Sequence, residues 1–222
     1  MLTVVPTPIG NLEDMTPRGL RALKEAAVIF AEDTRQTQKL LSHFGISKPL
    51  QRYEEKFADR VVERAARDNV ALVSDGGTPA LSDPGRRAVA LARKKGLAVT
   101  SLPGASAITT ALAGSGLPAD SFVFLGFLPR SGSKQRKALE AAAALEKTIV
   151  VYESPFRVAD FLELAQGVLG EKAQCCVVRE LSKVHEEWHR GAIPEVRASL
   201  KTFLGEFVVM LHPSEDPERD EA

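Results

Sequence analysis

The sequence predicts an α/β protein with two α/β domains, a parallel, doubly wound sheet in the first and a mixed sheet in the second. One pattern occurs four times before residue 116. It consists of a short apolar run, then a loop rich in Gly, Pro or charged residues, then apolar residues at helical spacing. This alternation is typical of a parallel sheet with helices on both faces. The segment 114–118 then has the composition of a linker, and the pattern changes after it. We expect an N-terminal domain at 1–117, a C-terminal domain at 118–212 and a disordered acidic tail at 213–222.

Three short apolar runs, at 2–5, 28–31 and 50–53, predict the first strands of the N-terminal domain. The helix after the first strand extends from Pro17 to residue 27. Thr16 is its expected N-cap, because a threonine side chain accepts from free N–H groups and proline is tolerated in a first turn. The second helix ends near residue 44, where Gly45 is a stop signal. A third helix is expected at 58–67.

The stretch 70–85, VALVSDGGTPALSDPG, organises this domain. Its apolar run at 70–73 predicts a buried parallel strand, and a helix at 86–95 follows. The loop between them lies at the carboxyl end of the strand, where open α/β sheets bind ligands. Gly76 and Gly77 allow close approach to the backbone, and Asp75 can accept from a hydroxyl or an ammonium group. With a last strand at 97–102 and a helix at 108–113, four loops (6–12, 32–35, 74–84 and 102–107) should converge on one crevice.

The C-terminal half has a less regular pattern. Strands are predicted at 122–128, 148–152, 174–179 and 206–211, with a short extended segment at 185–191. Helices are predicted at 138–145, from about 158 to 169, and at 194–200. Between the first strand and the first helix lies a basic stretch broken by Gly and Ser, which we expect to be a flexible loop that contacts RNA phosphates. Its basic residues are Arg130, Lys134, Arg136 and Lys137.

Composition and charge narrow the class of protein. The 29 basic and 29 acidic residues give a formal net charge of zero. Without the tail, which holds five acidic residues and one arginine, 28 basic and 24 acidic residues remain, a balance mildly permissive for RNA. Cys175 and Cys176 are adjacent and no CxxC pair occurs, so a reducing compartment is expected rather than a disulfide. No signal peptide and no membrane span are expected, which predicts a cytoplasmic location.

The string His185-Glu186-Glu187-Trp188-His189 fits H-E-x-x-H, which would make a zinc hydrolase if it were helical. Gly191 and Pro194 follow closely, so an exposed charged strand or turn is the favoured interpretation and no metal is expected. Neither G-x-G-x-x-G after the first strand nor a P-loop is present. Ser106, in Gly104-Ala105-Ser106-Ala107, lacks the nucleophile-elbow pattern and is expected to donate hydrogen bonds or cap a helix.

Seven strings together resemble the tetrapyrrole methylase superfamily and, within it, the enzymes that 2′-O-methylate a cytidine of 16S rRNA. They are TPIGNL (7–12), EDTR (32–35), SDGGTPALSDPG (74–85), LPGASA (102–107), GFLP (126–129), YESP (152–155) and RELSK (179–183). Gly76 stands where the family usually has Ala. Phe156 stands where His is common, so no role for a His is carried over. Longer members continue past the last strand into a small helical domain.

The resemblance implies a homodimer with S-adenosylmethionine in a cleft between the two domains. The methionine part would meet Ile9, Gly10 and the loop Asp75, Gly76, Gly77, Thr78 and Pro79, with Ser106 and Ala107 lining the same pocket. Adenosine would lie near Tyr152 and Glu153, Arg179 and Glu180, and Leu211 and His212. The implied substrate is a cytidine of 16S rRNA, C1402, within the 30S subunit.

The implied chemistry is an in-line displacement at a methyl carbon, for which a base or a nearby cation should activate the ribose hydroxyl. The expected catalytic residues are Asp33, Arg35, Glu180 and Lys183. Glu32, Asp83 and Glu153 are further candidates for the base, and several of these charges could instead form structural ion pairs. Because a fold does not fix a function, a small-molecule methyltransferase acting on a tetrapyrrole is the alternative.

Overall fold

The computed structural model describes residues 1–214. The predicted acidic tail therefore lies, apart from its first two residues, outside the described part of the chain. The structure divides into two compact units, Met1–Ser106 and a second that begins at Ala107. The predicted boundary after Leu117 thus falls inside the second unit.

The N-terminal unit contains a parallel sheet of five strands, as predicted. The strands are β1 (Leu2–Val4), β2 (Val28–Ala31), β3 (Leu50–Arg52), β4 (Val70–Val73) and β5 (Val99–Ser101), in the order β3-β2-β4-β1-β5. Every pairing is parallel, with Val4 opposite Leu72 and Ala31 opposite Val73. All five strands therefore end at the same edge of the sheet, and the loops that follow them emerge together.

Four helices cover the two faces of this sheet: α1 (Pro17–Glu25), α2 (Thr34–His43), α3 (Ala58–Ala65) and α4 (Arg86–Lys94). Thr16 caps α1 by accepting from the Gly19 N–H at 3.0 Å, as predicted. Alternate strand residues belong to two buried clusters. Phe30 packs in the cluster that contains Val61 of α3, and Ile29 packs in the one that contains Leu41 of α2. Helices on both faces make this unit doubly wound.

The second unit contains a mixed sheet of five strands, also as predicted. They are β6 (Phe122–Phe127), β7 (Thr148–Glu153), β8 (Gln174–Arg179), β9 (Glu187–Ala192) and β10 (Phe207–His212), in the order β6-β7-β10-β8-β9. The pair β6 and β7 is parallel, and β10 is antiparallel to both of its neighbours. Strands β6, β7 and β8 therefore end at one edge of the sheet, where β10 and β9 begin.

The helices of the second unit are α5 (Ala107–Ser115), α6 (Gly132–Ala143), α7 (Val158–Leu169) and α8 (Ile193–Ser199). One buried cluster joins the last three helices to the sheet, through residues such as Leu139, Phe161, Ile193, Val177 and Val209. Helix α5 packs against β10. Cys175 and Cys176 are buried free thiols. Within residues 1–214, no helix combines the length and the apolarity that crossing a membrane requires.

The basic stretch is mostly helical, so the prediction of a flexible loop there was wrong. Helix α6 begins at Gly132, after Ser131 in the N-cap position, and the Gln135 N–H donates to the Ser131 carbonyl at 3.0 Å. Lys, Gln and Arg are good helix formers, and Gln135 is buried on the inner side of the helix. These preferences outweigh the tendency of Ser131, Gly132 and Ser133 to interrupt a helix. The exposed Lys134, Arg136 and Lys137 lie in the first turns of α6.

Candidate functional site

Three loops meet at the carboxyl edge of the N-terminal sheet. Thr7 and Gly77 form a two-way backbone bridge, with N–H to carbonyl distances of 3.0 and 2.8 Å. The Thr78 hydroxyl donates to the carbonyl of Ala105 at 3.1 Å. The loops 6–12, 74–84 and 102–107 are thus held together by this backbone bridge and by the Thr78 hydroxyl, as predicted from their positions. Ile9 is half-buried and Gly10 is exposed in the first loop, and Pro79 is buried in the second.

Gly77 is required by its surroundings. Its φ is +82°, and a Cβ there would lie 3.2 Å from the Ile9 side chain. At Gly76 the nearest atom to an added Cβ is the Pro8 carbonyl oxygen at 3.4 Å, an ordinary contact. Ala in place of Gly76 would therefore fit. Asp75 and Gly76 are exposed, which leaves this part of the loop open to a ligand.

The fourth loop, EDTR, is fixed by Asp75. The Asp33 backbone N–H donates to Asp75 Oδ1 at 3.0 Å. The Asp33 carboxylate caps α2 by accepting from the Arg35 N–H at 2.8 Å, and it pairs with the Arg35 guanidinium at 3.2 Å. The hydrogen bonds from Arg35 hold the pKa of Asp33 below its ordinary value. Two of the expected catalytic residues therefore form an ion pair with each other, and Asp33 stays a weak base.

Glu32 and Asp83 are two further carboxylates at this edge. Burial, and then the Asp75, Asp83 and Asp33 carboxylates, raise the pKa of Glu32. Burial also raises the pKa of Asp83, against a hydrogen bond with Ser74. A carboxylate with a raised pKa holds a proton more readily at neutral pH, which suits a general base.

The carboxyl edge of the second sheet begins with Glu153, at the end of β7. Its side chain is buried, accepts from the Ser154 N–H at 2.7 Å and lies 3.3 Å from the Arg157 guanidinium. Burial raises its pKa, although Ser154 and Arg157 oppose this shift. Arg157 also donates to the carbonyls of Leu128 and Pro129, so it joins the GFLP loop to the YESP loop. Tyr152 is half-buried, with its ring against Phe124 and Phe127.

Arg179 at the end of β8 is a buried structural clamp. Its guanidinium pairs with Glu187 at 3.0 Å and donates to the carbonyls of Leu204 and His185. These contacts occupy the side chain, so Arg179 holds three segments together rather than offering a free cation.

The remaining expected catalytic residues form a second ion cluster. Lys183 Nζ lies 2.8 Å from Glu180 Oε1 and 3.0 Å from Glu206 Oε2. Burial alone would raise the pKa of Glu180, but Lys183 and the Glu206 N–H hold it below its ordinary value. Glu180 has a φ of +52°, and Gly205, with a φ of +98°, would place a Cβ 2.5 Å from Glu180 Oε1. The cluster therefore shapes the RELSK loop around the residues before β10.

Leu211 and His212, also expected near adenosine, lie at the other end of β10 from Glu153 and Arg179. Phe207 pairs with both Glu153 and Arg179, whereas His212 pairs with Gln174, five residues further along β10. At about 3.4 Å per residue, this separates the two positions by roughly 17 Å. Leu211 is also fully buried in the core. The residues that accompany Glu153 and Arg179 are instead 204–207, which sequence patterns did not indicate because β10 runs opposite to its neighbours.

The other expected site residues fall outside these clusters. Ser106 ends the first unit and Ala107 is the first residue of α5. Arg130 precedes α6, and Arg136 lies 3.9 Å from Glu140. The H-E-x-x-H string is not helical: it runs into the edge strand β9, as favoured from the sequence, with His189 Nδ1 2.8 Å from the Ser199 hydroxyl. Among the described residues, no group of three or more His, Cys, Asp or Glu side chains is arranged to hold a metal ion.

Comparison with known proteins gives consistent matches. The sequence profile of the Tetrapyrrole (Corrin/Porphyrin) Methylases matches residues 1–197. "Ribosomal RNA small subunit methyltransferase I" of Halalkalibacterium halodurans is 46% identical over 95% of this chain and 75% of its own length. The protein of the same name from Thermotoga maritima is 39% identical over 96% of this chain and 99% of its own length.

Solved structures share the fold. Diphthine synthase superposes with a TM-score of 0.74 at 16% identity, covering 95% of this chain and 89% of that one. The methyltransferase CobJ superposes with a TM-score of 0.70 at 19% identity, covering 95% of this chain and 93% of that one.

Proposed function

The chain belongs to the tetrapyrrole methylases, in the family of ribosomal RNA small subunit methyltransferase I, and we propose that it methylates the 2′-hydroxyl of a cytidine in 16S rRNA. The observation that carries this proposal is the similarity, at 39% and 46% identity over at least 95% of the chain, to two proteins of that name. The proposed methyl donor is S-adenosylmethionine, and the proposed target is C1402 in the 30S subunit. An rRNA substrate would place the enzyme in the cytoplasm.

The N-terminal loops have the chemistry that the methionine end of the cofactor needs. Asp75 is an exposed carboxylate that can accept from the cofactor ammonium while Oδ1 keeps the Asp33 N–H. Gly76 follows Asp75 directly, and Ile9 lies beside Gly76. Gly10 is in the same loop as Ile9. Ser106 and Ala107 end the third loop, which Thr78 holds through the Ala105 carbonyl. In the second unit, adenosine is proposed to lie near Tyr152 and Glu153 and near Arg179 and Glu180. Leu211 and His212 belong to the same proposed group, and residues 204–207 lie beside Arg179 and Glu180.

When bound, the cofactor supplies an electrophilic methyl group on a sulfonium centre. The protein has to hold the ribose hydroxyl in line with it and to accept the hydroxyl proton as the new C–O bond forms. Glu32 is the carboxylate we assign to this task, because it lies at the carboxyl edge and its pKa is raised by burial and three acidic neighbours. Asp33 and Glu180 are held as ion pairs by Arg35 and Lys183, which suits them to shaping the loops.

Recognition of RNA is assigned to the basic face at the start of the second unit. Arg130, Lys134, Arg136 and Lys137 are all exposed, and three of them lie on the first turns of α6. Positive charge near a helix N-terminus, where free N–H groups also point outward, favours phosphate oxygens. The enzyme is proposed to act as a homodimer.

The experiment that tests this function is methyl transfer from labelled S-adenosylmethionine to three substrates in parallel. These are 30S subunits from a strain without the modification, the free 16S rRNA, and a porphyrinogen. Incorporation into the RNA of one or both ribosomal substrates supports the proposal. Incorporation into the porphyrinogen alone would overturn it in favour of a small-molecule methyltransferase with the same fold.

A further inference from the structure

A pocket of about 480 Å³ opens at the carboxyl end of β3, in the N-terminal unit. Phe30 and Tyr53 are the buried members of its lining, and Gln51, Arg52 and Arg60 are exposed at its rim. This volume lies within the range of pockets that bind small organic molecules, so it can admit one nucleotide. None of the four motif loops supplies a residue to its lining.

Aromatic and cationic groups are interleaved around this pocket. The Arg60 guanidinium lies over the Phe57 ring, 4.4 Å from its centroid, and Lys56 Nζ lies 4.9 Å from the same centroid. Arg52 is at the rim, 3.8 Å from Glu54. Glu54 also accepts from Lys56 at 2.7 Å. Arg52 and Lys56 thus both contact the Glu54 carboxylate, and the Arg60 guanidinium is stacked on the Phe57 ring.

The pocket is tied to the candidate catalytic edge within the same unit. Strand β3 pairs with β2, whose carboxyl end carries Glu32 and Asp33. The Tyr53 hydroxyl donates to Glu55 Oε2 at 3.1 Å, and Glu55 Oε1 accepts from the Gly85 N–H at 2.7 Å. Burial, and then the Glu55 carboxylate, raise the pKa of Tyr53, so it remains a neutral donor. These bonds join the pocket to the end of the 74–85 loop, one strand away from the proposed base.

We propose that this pocket binds a nucleotide of the single-stranded RNA that flanks the methylated one. Its base stacks on the Arg60 guanidinium, which Phe57 supports from beneath, and its phosphates contact Arg52 and Lys56. Unpaired RNA bases stack on arginine planes as well as on aromatic rings, and cations beside them hold the backbone. This inference rests on the proposed function for the identity of the polymer and adds a subsite to it.

The test measures binding of a fluorescein-labelled single-stranded oligoribonucleotide of about ten nucleotides to the full chain, across a salt series. Arg52→Ala and Lys56→Ala should each reduce the slope of log K against log salt, by about 0.7 for a lost phosphate contact. Phe57→Leu keeps the charges and the apolar bulk but removes the ring. It should weaken binding at least about fivefold without changing the salt slope. Arg67→Ala, an exposed arginine beyond the other end of α3, is the matched control and should behave as wild type.

Two outcomes would overturn the inference: affinities of the three pocket variants within twofold of the control, or equal losses in all four. Circular dichroism and the Kd for S-adenosylmethionine confirm that each variant is folded. Because this assay does not require catalysis, it separates the two claims. If wild type methylates 30S subunits and the pocket variants bind RNA normally, only the subsite is refuted. Pocket-dependent RNA binding without any methyl transfer would refute only the proposed reaction.

Discussion

Asp75 can be separated into two roles by comparing two substitutions. Its Oδ1 accepts from the Asp33 backbone N–H at 3.0 Å, and its charge is proposed to accept from the ammonium of S-adenosylmethionine. Asp75→Asn keeps an oxygen acceptor for Asp33 and removes only the charge. Asp75→Ala removes both. The two variants should therefore differ in loop order but share the loss of the charged contact.

The magnitude follows from the kind of bond. A hydrogen bond to a charged group contributes about 1.5–3 kcal/mol. Since 1.4 kcal/mol is tenfold in Kd, Asp75→Asn should weaken cofactor binding by about 10- to 150-fold. Its stability should be unchanged or slightly higher, because Asp75 is one of the like charges, after burial, that raise the pKa of Glu32. Asp75→Ala should bind at least as weakly, and the exposed Asp33 N–H can turn to water at small cost.

Isothermal titration calorimetry with S-adenosylmethionine measures both variants against Asp120→Asn, which changes an exposed aspartate of the second unit. The control should bind as wild type does. A Kd for Asp75→Asn within twofold of wild type would remove the charge of Asp75 from the cofactor site. A loss confined to Asp75→Ala would show that Asp75 acts only by holding the EDTR loop.

Three further predictions concern other parts of the molecule. Glu32→Gln should lower kcat about 10²- to 10⁴-fold, yet stabilise the fold at neutral pH, because burial and acidic neighbours raise the pKa of Glu32. Because the pKa of Glu32 is raised in the folded state, the wild-type protein loses stability as the pH rises through that pKa. Urea titrations should therefore show that the variant gains stability relative to wild type between pH 3.5 and pH 7, and equal differences at the two pH values would contradict this. Gly205→Ala should destabilise the fold by about 2–4 kcal/mol, because it combines a φ of +98° with a clash at Glu180, whereas Gly132→Ala, in open space, should not destabilise it. A urea midpoint for Gly205→Ala equal to that of Gly132→Ala would refute this. Changing all four residues of the basic face to Ala should reduce the RNA salt slope by about 3 and leave cofactor affinity unchanged; an unchanged KM for 30S subunits across salt would place RNA elsewhere. Those residues are Arg130, Lys134, Arg136 and Lys137.

The N-terminal half of the fold was accessible from the sequence because its signals are local. Each strand is a short apolar run and each helix has its own start signal, such as Thr16 before Pro17. Parallel strands then place every following loop at one edge, so the meeting of Thr7 with Gly77, and of Thr78 with Ala105, followed from order alone. The hydrogen bond from the Asp33 N–H to Asp75 has the same origin, because these residues follow the neighbouring parallel strands β2 and β4.

What could not be predicted depends on tertiary context. The direction of β10 reverses which of its ends lies beside Glu153 and Arg179, and nothing in an apolar run states a direction. The buried clamp made by Arg179 uses the carbonyls of His185, six residues away, and Leu204, 25 residues away, and no motif reports either contact. The Ser and Gly residues that break the basic stretch predict a loop, whereas the inward-facing Gln135 stabilises a helix there. The pocket beside β3 combines strand, turn and helix residues that only folding brings together.

The proposed reaction places a methyl group on the ribose 2′-oxygen of one 16S rRNA cytidine. The most direct measurement is nucleoside mass spectrometry of 30S subunits that lack the modification, before and after incubation with the enzyme and S-adenosylmethionine, with the site mapped by fragment analysis. We expect one 2′-O-methylcytidine to appear per subunit, and not with the Glu32→Gln variant. A methyl group found on a base, or on no nucleoside of the 16S rRNA, would refute the proposed reaction.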